Sequence, residues 1–238
     1  MMMDEQPFLG FPDQGLKFLT GLKKNNNKAW FDEHKETYKE ELIAPGQAFV
    51  VALGRKLQKI SKGVIYDTRL NGSGSIMRIY RDIRFSKDKT PYKDWMGIIW
   101  WEGKERKKME NPGYYVHVDP KETFVAAGHY HFPKQFFEAY RLAILDNRRG
   151  KELDSILAKL NRMKGVTVAG EQTKRVPRGY DADHPRAELL KYKGLYVYTD
   201  KILRKELTTP KFVDLCYKWC EKMSPLQDWM VKVAKTAR

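Results

Sequence analysis

Apolar residues recur at helical spacing from Leu16 to Leu22, and Asn25-Asn26-Asn27 stops that run and can cap the next helix. Trp30, Phe31, His34 and Tyr38 keep the same period, so Lys28 to Ile43 reads as a second helix. Pro45 begins a third, with Phe49, Leu53 and Leu57 on one face and Arg55, Lys56 and Lys59 on another. From Val64 the period changes to two. Trp95 to Trp101 is an expected strand with aromatic residues on both faces. Tyr114 to Val118 and Thr123 to Ala127 form an expected hairpin around Asp119-Pro120-Lys121-Glu122. Glu102 to Lys108 reads as a solvated basic loop. Pro133 opens a helix through Leu145, with Phe136, Phe137, Tyr140 and Ile144 at core spacing, and Asn147-Arg148-Arg149-Gly150 ends it. Leu153 to Met163 is another helix, and Val166 to Val168 begins an extended piece. Leu189 to Tyr198 holds a loop and a strand. Thr208 to Ala234 is helical, with a break expected near Pro225 and Ser224 placed to cap the last segment.

Helices first, strands in the middle and helices last predict a single α+β domain over 1–238. Its sheet is expected to be central and mainly antiparallel, flanked by N-terminal and C-terminal helices, with residues 1–7 a flexible tail. A chain of 238 residues, 42% of them hydrophobic, is long enough to bury a real core. The two cysteines, Cys216 and Cys220, sit one helical turn apart and form no disulfide framework. The start has no basic region followed by an apolar run, and no apolar run is long enough to span a membrane. A cytoplasmic location, with no membrane partner, is the expectation.

Charge changes this picture. The net charge is +15, which favours anionic partners. The densest stretch runs from Met77 to Lys93, where three arginines and three lysines face two aspartates with Ile79, Ile83 and Phe85 threaded between them. Read as a strand over Ile76 to Phe85, it places Met77, Ile79, Arg81, Ile83 and Phe85 on one face. Arg78, Tyr80, Asp82 and Arg84 share the other, with Asp82 between two arginines. Arg81 on an apolar face needs a carboxylate or a bound anion, and Asp181 or Asp183 is a candidate partner. Asp88 to Tyr92 comes next as a turn that brings Lys89 and Tyr92 to the strand end. Arg78, Arg81, Arg84, Lys89, Tyr92 and Arg178 are therefore the candidate anion-binding residues. Asp82, Tyr92 and His184 are the candidates for moving a proton. Gly72-Ser73-Gly74-Ser75 matches no phosphate-loop spacing and reads as a flexible connection or flap. His129 and His131 lie two apart but fall short of a coordination set, so no metal and no cofactor is expected.

The pattern RxxRDxRF, carried by Arg78, Arg81, Asp82, Arg84 and Phe85, is followed by DKxxY, carried by Asp88, Lys89 and Tyr92. An opening of Phe8 to Trp30-Phe31 precedes it. The block Arg175-Val176-Pro177-Arg178-Gly179-Tyr180-Asp181-Ala182-Asp183-His184-Pro185 with Leu189-Leu190-Lys191 lies further along the chain. Together these resemble domain-of-unknown-function family 2461, found in bacteria and some fungi, and the resemblance covers nearly the whole chain. It implies a single module of about this length and supplies no reaction.

Three functions fit the residues. One is a site for a phosphorylated or carboxylated small molecule built on residues 78–92. A second is a nucleic-acid-binding module, resting on the net charge and on aromatics that can stack on bases. The third is an architectural ion-pair network whose function lies in a protein-partner surface. No nucleophile elbow, Walker loop, dinucleotide fingerprint or zinc-protease pair is present, so neither the reaction nor the oligomeric state can be read from the sequence.

Overall fold

The computed structural model of the chain describes residues 6–104 and 106–237. Of the tail expected at 1–7, residues 1–5 lie outside the described residues, and Gln6 and Pro7 are exposed and irregular. The first helix, α1 (Asp13–Lys24), buries Leu16, Phe18, Leu19 and Leu22, the periodic positions of the sequence. Asn27 then accepts the Trp30 N–H at 3.0 Å and starts α2 (Lys28–Glu33). The helix expected as far as Ile43 is interrupted at His34, whose φ of −103° and ψ of 15° leave the helical region. It resumes as α3 (Lys35–Tyr38), widens into a π-type turn over Lys39–Ile43, and continues as α4 (Ala44–Ile60). Pro45 has no N–H to donate into the preceding turn, and the widening falls just before it. Close packing accompanies this corner, since a Cβ on Gly15 would lie 2.0 Å from the Glu41 carbonyl oxygen.

After β1 (Val64–Ile65), regular structure returns only at β2 (Met96–Glu102), which is buried on both faces from Met96 to Trp101. The hairpin appears as β3 (Gly113–Val118) and β4 (Phe124–His129). Asp119 closes its turn by accepting the N–H groups of Lys121 at 2.6 Å and Glu122 at 3.0 Å. Next come α5 (Lys134–Leu145), α6 (Asn147–Arg162), β5 (Val166–Ala169), α7 (Ala187–Leu190), β6 (Leu195–Thr199), α8 (Arg204–Leu207) and α9 (Phe212–Ala234). The strands make one six-stranded antiparallel sheet in the order β1-β2-β3-β4-β6-β5, so the α+β class holds. β6 pairs Ala126 with Tyr198 on one side and Val168 with Val197 on the other.

Two helix boundaries correct the sequence reading. Residues 147–150 open α6 rather than closing α5, because Asp146 turns out of helix and its side chain accepts the Arg149 N–H at 2.8 Å. α9 runs unbroken through Pro225. Ser224 does not cap there; its hydroxyl donates back to the Glu221 carbonyl at 2.9 Å. Cys216, Cys220, Met223, Leu226 and Met230 are all fully buried along α9. That continuous apolar stripe outweighs the one missing N–H.

Contacts divide the chain into two compact units. The first takes the chain up to Trp100 together with Tyr115–Val125 and Lys201–Trp219. Its core centres on Phe49, stacked on Phe212 at 5.1 Å and edge-on to Trp100 at 5.7 Å, while Trp100 Nε1 donates to the Val50 carbonyl at 2.9 Å. The second takes Trp101–Tyr114, Ala126–Asp200 and the chain from Cys220 onward. Its core centres on Tyr140, 4.6 Å from Phe132 and 6.0 Å from Trp229 between ring centroids. Both polar tips are satisfied: the Tyr140 hydroxyl donates to the Leu189 carbonyl at 3.0 Å, and Trp229 Nε1 donates to the Arg149 carbonyl at 2.9 Å.

Candidate functional site

The charged motif belongs to the first unit and is built on an aromatic floor. Phe31 from α2 stacks on Tyr92 with centroids 4.3 Å apart and planes 19° apart, and Tyr38 and Tyr80 lie against the same group. Burial pushes the Tyr38 hydroxyl up to about 12 and raises that of Tyr92. Asn26 ties this floor to the motif from 66 residues away. Its Nδ2 donates to the Tyr92 carbonyl at 2.9 Å, and its Oδ1 accepts the Tyr92 N–H at 3.0 Å. One side-chain amide thus replaces a sheet neighbour for a buried residue.

The expected strand over Ile76 to Phe85 does not form. Residues 76–92 make only isolated bridges, Ile76 with Ile98 and Tyr80 with Tyr92. Backbone bonds from Arg81 N–H to the Pro91 carbonyl (2.9 Å) and from Lys93 N–H to the Ile79 carbonyl (2.7 Å) close a loop whose tip spans 82–90. The alternation of faces therefore ends at Tyr80. Ile79 is buried, but Phe85, expected on the same apolar face, is 94% exposed. The preceding Gly-Ser stretch is held at both ends. Asn71 Oδ1 accepts from the Ser73 N–H and hydroxyl, and the Ser75 N–H reaches the Asp67 carbonyl at 2.6 Å.

Arg81 has its counter-ion within the loop. Its guanidinium pairs with Asp88 and also donates to the Thr90 hydroxyl, which corrects the expectation of Asp181 or Asp183 as partner. Asp88 also accepts the Thr90 N–H at 2.9 Å, as a turn-capping aspartate should. Among the described residues Asp82 pairs with Arg84 alone, through contacts of 3.0 and 2.7 Å, and not with an arginine on either side. The Arg84 guanidinium lowers the Asp82 carboxyl to about 2, and Arg81 does the same for Asp88. Carboxylates held ionised this firmly suit charge pairing better than proton transfer.

The remaining cations are not neutralised by the loop. Lys89 Nζ donates to the Ile83 carbonyl at 2.9 Å, and Lys93 Nζ bonds the carbonyls of Arg78 and Tyr80. Those bonds position the ammonium groups without cancelling their charge. Arg78 is exposed and has no carboxylate partner among the described residues. Burial lowers the Lys93 ammonium, and the nearby Arg78 and Arg81 charges add to the same effect. From Arg78 to Lys93 six cations stand against two carboxylates, an excess of four.

The exposure of these groups sets what Arg81 contributes to stability. Its side chain is 28% exposed and that of Asp88 57%. Pairs of this kind contribute ~0.2–1 kcal/mol. Arg81→Ala is therefore expected to lower the unfolding free energy by no more than about 1 kcal/mol and to leave the fold intact. Global unfolding of that variant by circular dichroism would instead support the architectural reading.

Arg178 and His184 lie in the second unit. Arg178 is exposed. His184 Nδ1 accepts the Arg186 N–H at 3.0 Å, a turn-closing bond. Arg186, passed over in the sequence, anchors this block: its Nε donates to the Ile144 carbonyl at 2.8 Å and its Nη1 lies 3.5 Å from Asp154. Asn26, too, shows in the sequence only as part of a helix stop. His129 is buried in the same unit with Nε2 3.2 Å from the Glu110 carbonyl oxygen, and His131 stands 4.0 Å from Glu171. Among the described residues, no three His, Cys, Asp or Glu side chains converge as a metal site.

A family model described as a conserved hypothetical protein (DUF2461) matches residues 14–229. The chain belongs to this family. Residues 78–92 and 175–191 of the DUF2461 chain both fall inside the matched span. No curated protein matches it. Among the described residues of this DUF2461 protein, no helix is long and apolar enough to cross a membrane.

Proposed function

We propose that the loop of residues 78–93 is a binding surface for single-stranded nucleic acid. The observation that carries this reading is the Phe85 ring, 94% exposed at the tip of a loop with four more cations than carboxylates. Tyr80, on the same loop, is 59% exposed. Exposed rings set among cations are what a strand of unpaired bases meets: the rings stack on bases while Arg78, Lys87, Lys89 and Lys93 track the phosphates. A single small anion would gain little here. Arg81 and Arg84 already have carboxylates, and Arg78, Lys87 and Lys89 are exposed, where water screens them. A polyanion adds many such weak contacts along one strand.

The aspartate pairs then have a supporting task. They hold Arg81 and Arg84 in fixed positions and keep the loop from collapsing on itself, while the Phe31–Tyr92 floor and Asn26 hold its base. The test is fluorescence anisotropy of a labelled single-stranded oligothymidylate across a salt series. About four phosphate contacts give a slope near −3 in log affinity against log salt, or roughly a 50-fold loss between about 50 and 200 mM. A slope near zero contradicts the reading. So does equal affinity for duplex DNA, whose bases are not free to stack.

A further inference from the structure

A separate site lies wholly within the second unit and does not depend on the loop of the first. One face of α5 presents Lys134, Phe137, Glu138 and Arg141 to a cleft of about 500 Å³, completed by Thr173, Tyr180 and Lys193. A volume of this size suits a small organic molecule. Arg141 is its centre. The guanidinium carbon sits 5.3 Å from the Phe137 ring centroid and 5.3 Å from that of Tyr180, so two rings contact it. Its Nε is enclosed and has no hydrogen-bond partner among the described residues, which also offer it no carboxylate. A guanidinium cannot shed its proton, so this charge stays available to an anion.

We propose that this cleft binds a small monocarboxylic acid with an apolar body, its carboxylate on Arg141. Two rings lie against the guanidinium, and Nε is closed off. The terminal nitrogens remain, and their planar edge matches a carboxylate. The local charges agree with a single negative charge. Lys134, Arg141 and Lys193 line the cleft against Glu138, and Lys193 is already paired with Glu171, which leaves an excess of one. A phosphate dianion would be over-charged for this setting. Phe137 and Tyr180 supply surface for the apolar part, and the Thr173 hydroxyl is tied to the Arg175 carbonyl at 2.7 Å, fixing that wall. Tyr180 gives the second signature block a role: Gly179, with φ of +89°, turns the chain just before it.

The test is isothermal titration of the full chain with benzoate, acetate and phenyl phosphate. Benzoate is expected to saturate one site and to bind at least tenfold more tightly than either of the others. Arg141→Met, which keeps apolar volume against the rings, is expected to weaken benzoate at least tenfold. Phe85→Ala is expected to leave benzoate binding unchanged, so failure here and failure of the loop reading are told apart. If Arg141→Met does not fold, Lys134→Met serves, with an expected loss of about threefold from removing one long-range positive charge. Unchanged benzoate affinity in the folded variant overturns the proposal, as does no saturable benzoate binding. Tighter binding of phenyl phosphate than benzoate overturns the ligand class.

Discussion

Asn26→Ala is expected to destabilise the protein by about 2–4 kcal/mol, although Asn26 contributes little to any apolar core. The variant removes both hydrogen bonds to the Tyr92 backbone at once. Tyr92 is only 4% exposed, so its N–H and carbonyl are left without an easy replacement. Each orphaned group costs ~1–3 kcal/mol when water cannot reach it fully. Asn26→Asp is expected to do little better, because it keeps the acceptor for the N–H but sets a carboxylate oxygen against the carbonyl. The measurement is urea denaturation of both variants. Values within about 0.5 kcal/mol of the parent would mean that Tyr92 is held by its ring alone.

Acid is expected to cost the protein on the order of 3 kcal/mol through His129 alone. Burial pushes this imidazole down to about 4; the bond to the Glu110 carbonyl opposes that, and His131 and Arg106 reinforce it. In the unfolded chain the same group takes a proton near 6.5. Between those two values the unfolded state binds more protons than the folded one. Stability is therefore complete above about pH 6.5, falls as the pH drops towards 4, and loses nothing further from this group below that. His117, lowered chiefly by burial, acts in the same direction. The contribution is isolated by comparing unfolding free energies from pH 7 to pH 4 with those of His129→Phe. That variant forfeits one hydrogen bond but has nothing to protonate beside Phe132 and Phe136. Parallel pH curves for the two proteins would show that His129 is not the group responsible.

Periodicity carried most of the fold. Phe136, Tyr140 and Ile144 mark α5 because one buried face suffices to fix a helix, and Asp119-Pro120 marks the hairpin because its turn chemistry is local. Pro225 misled because the residue signals a break only when the flanking turns lack buried partners, and in α9 both have them. The charged motif was legible as a cluster but not as a shape. A strand reading needs a neighbour over its whole length, and beyond Tyr80 the partner is the loop's own return from Pro91 to Lys93. Whether Arg81 met Asp88 or a distant aspartate depended on that return. Long-range placements such as Asn26 on Tyr92 leave no periodic trace, and Arg141 reads as one more polar position on an amphipathic helix until Tyr180 is seen against it.

The exposed ring is the central claim, and it is tested most directly by removing it alone. The measurement is the affinity of the parent, Phe85→Ala and Arg78→Ala proteins for single-stranded oligothymidylate at low salt. Loss of one stacked base costs ~1–3 kcal/mol. Phe85→Ala is thus expected to weaken binding by about tenfold or more with its salt slope unchanged. Arg78→Ala is expected to weaken binding less and to lower the slope by about 0.7, the share of one phosphate. Parent affinity in a folded Phe85→Ala protein would contradict the account, because the ring would then be exposed without serving the strand.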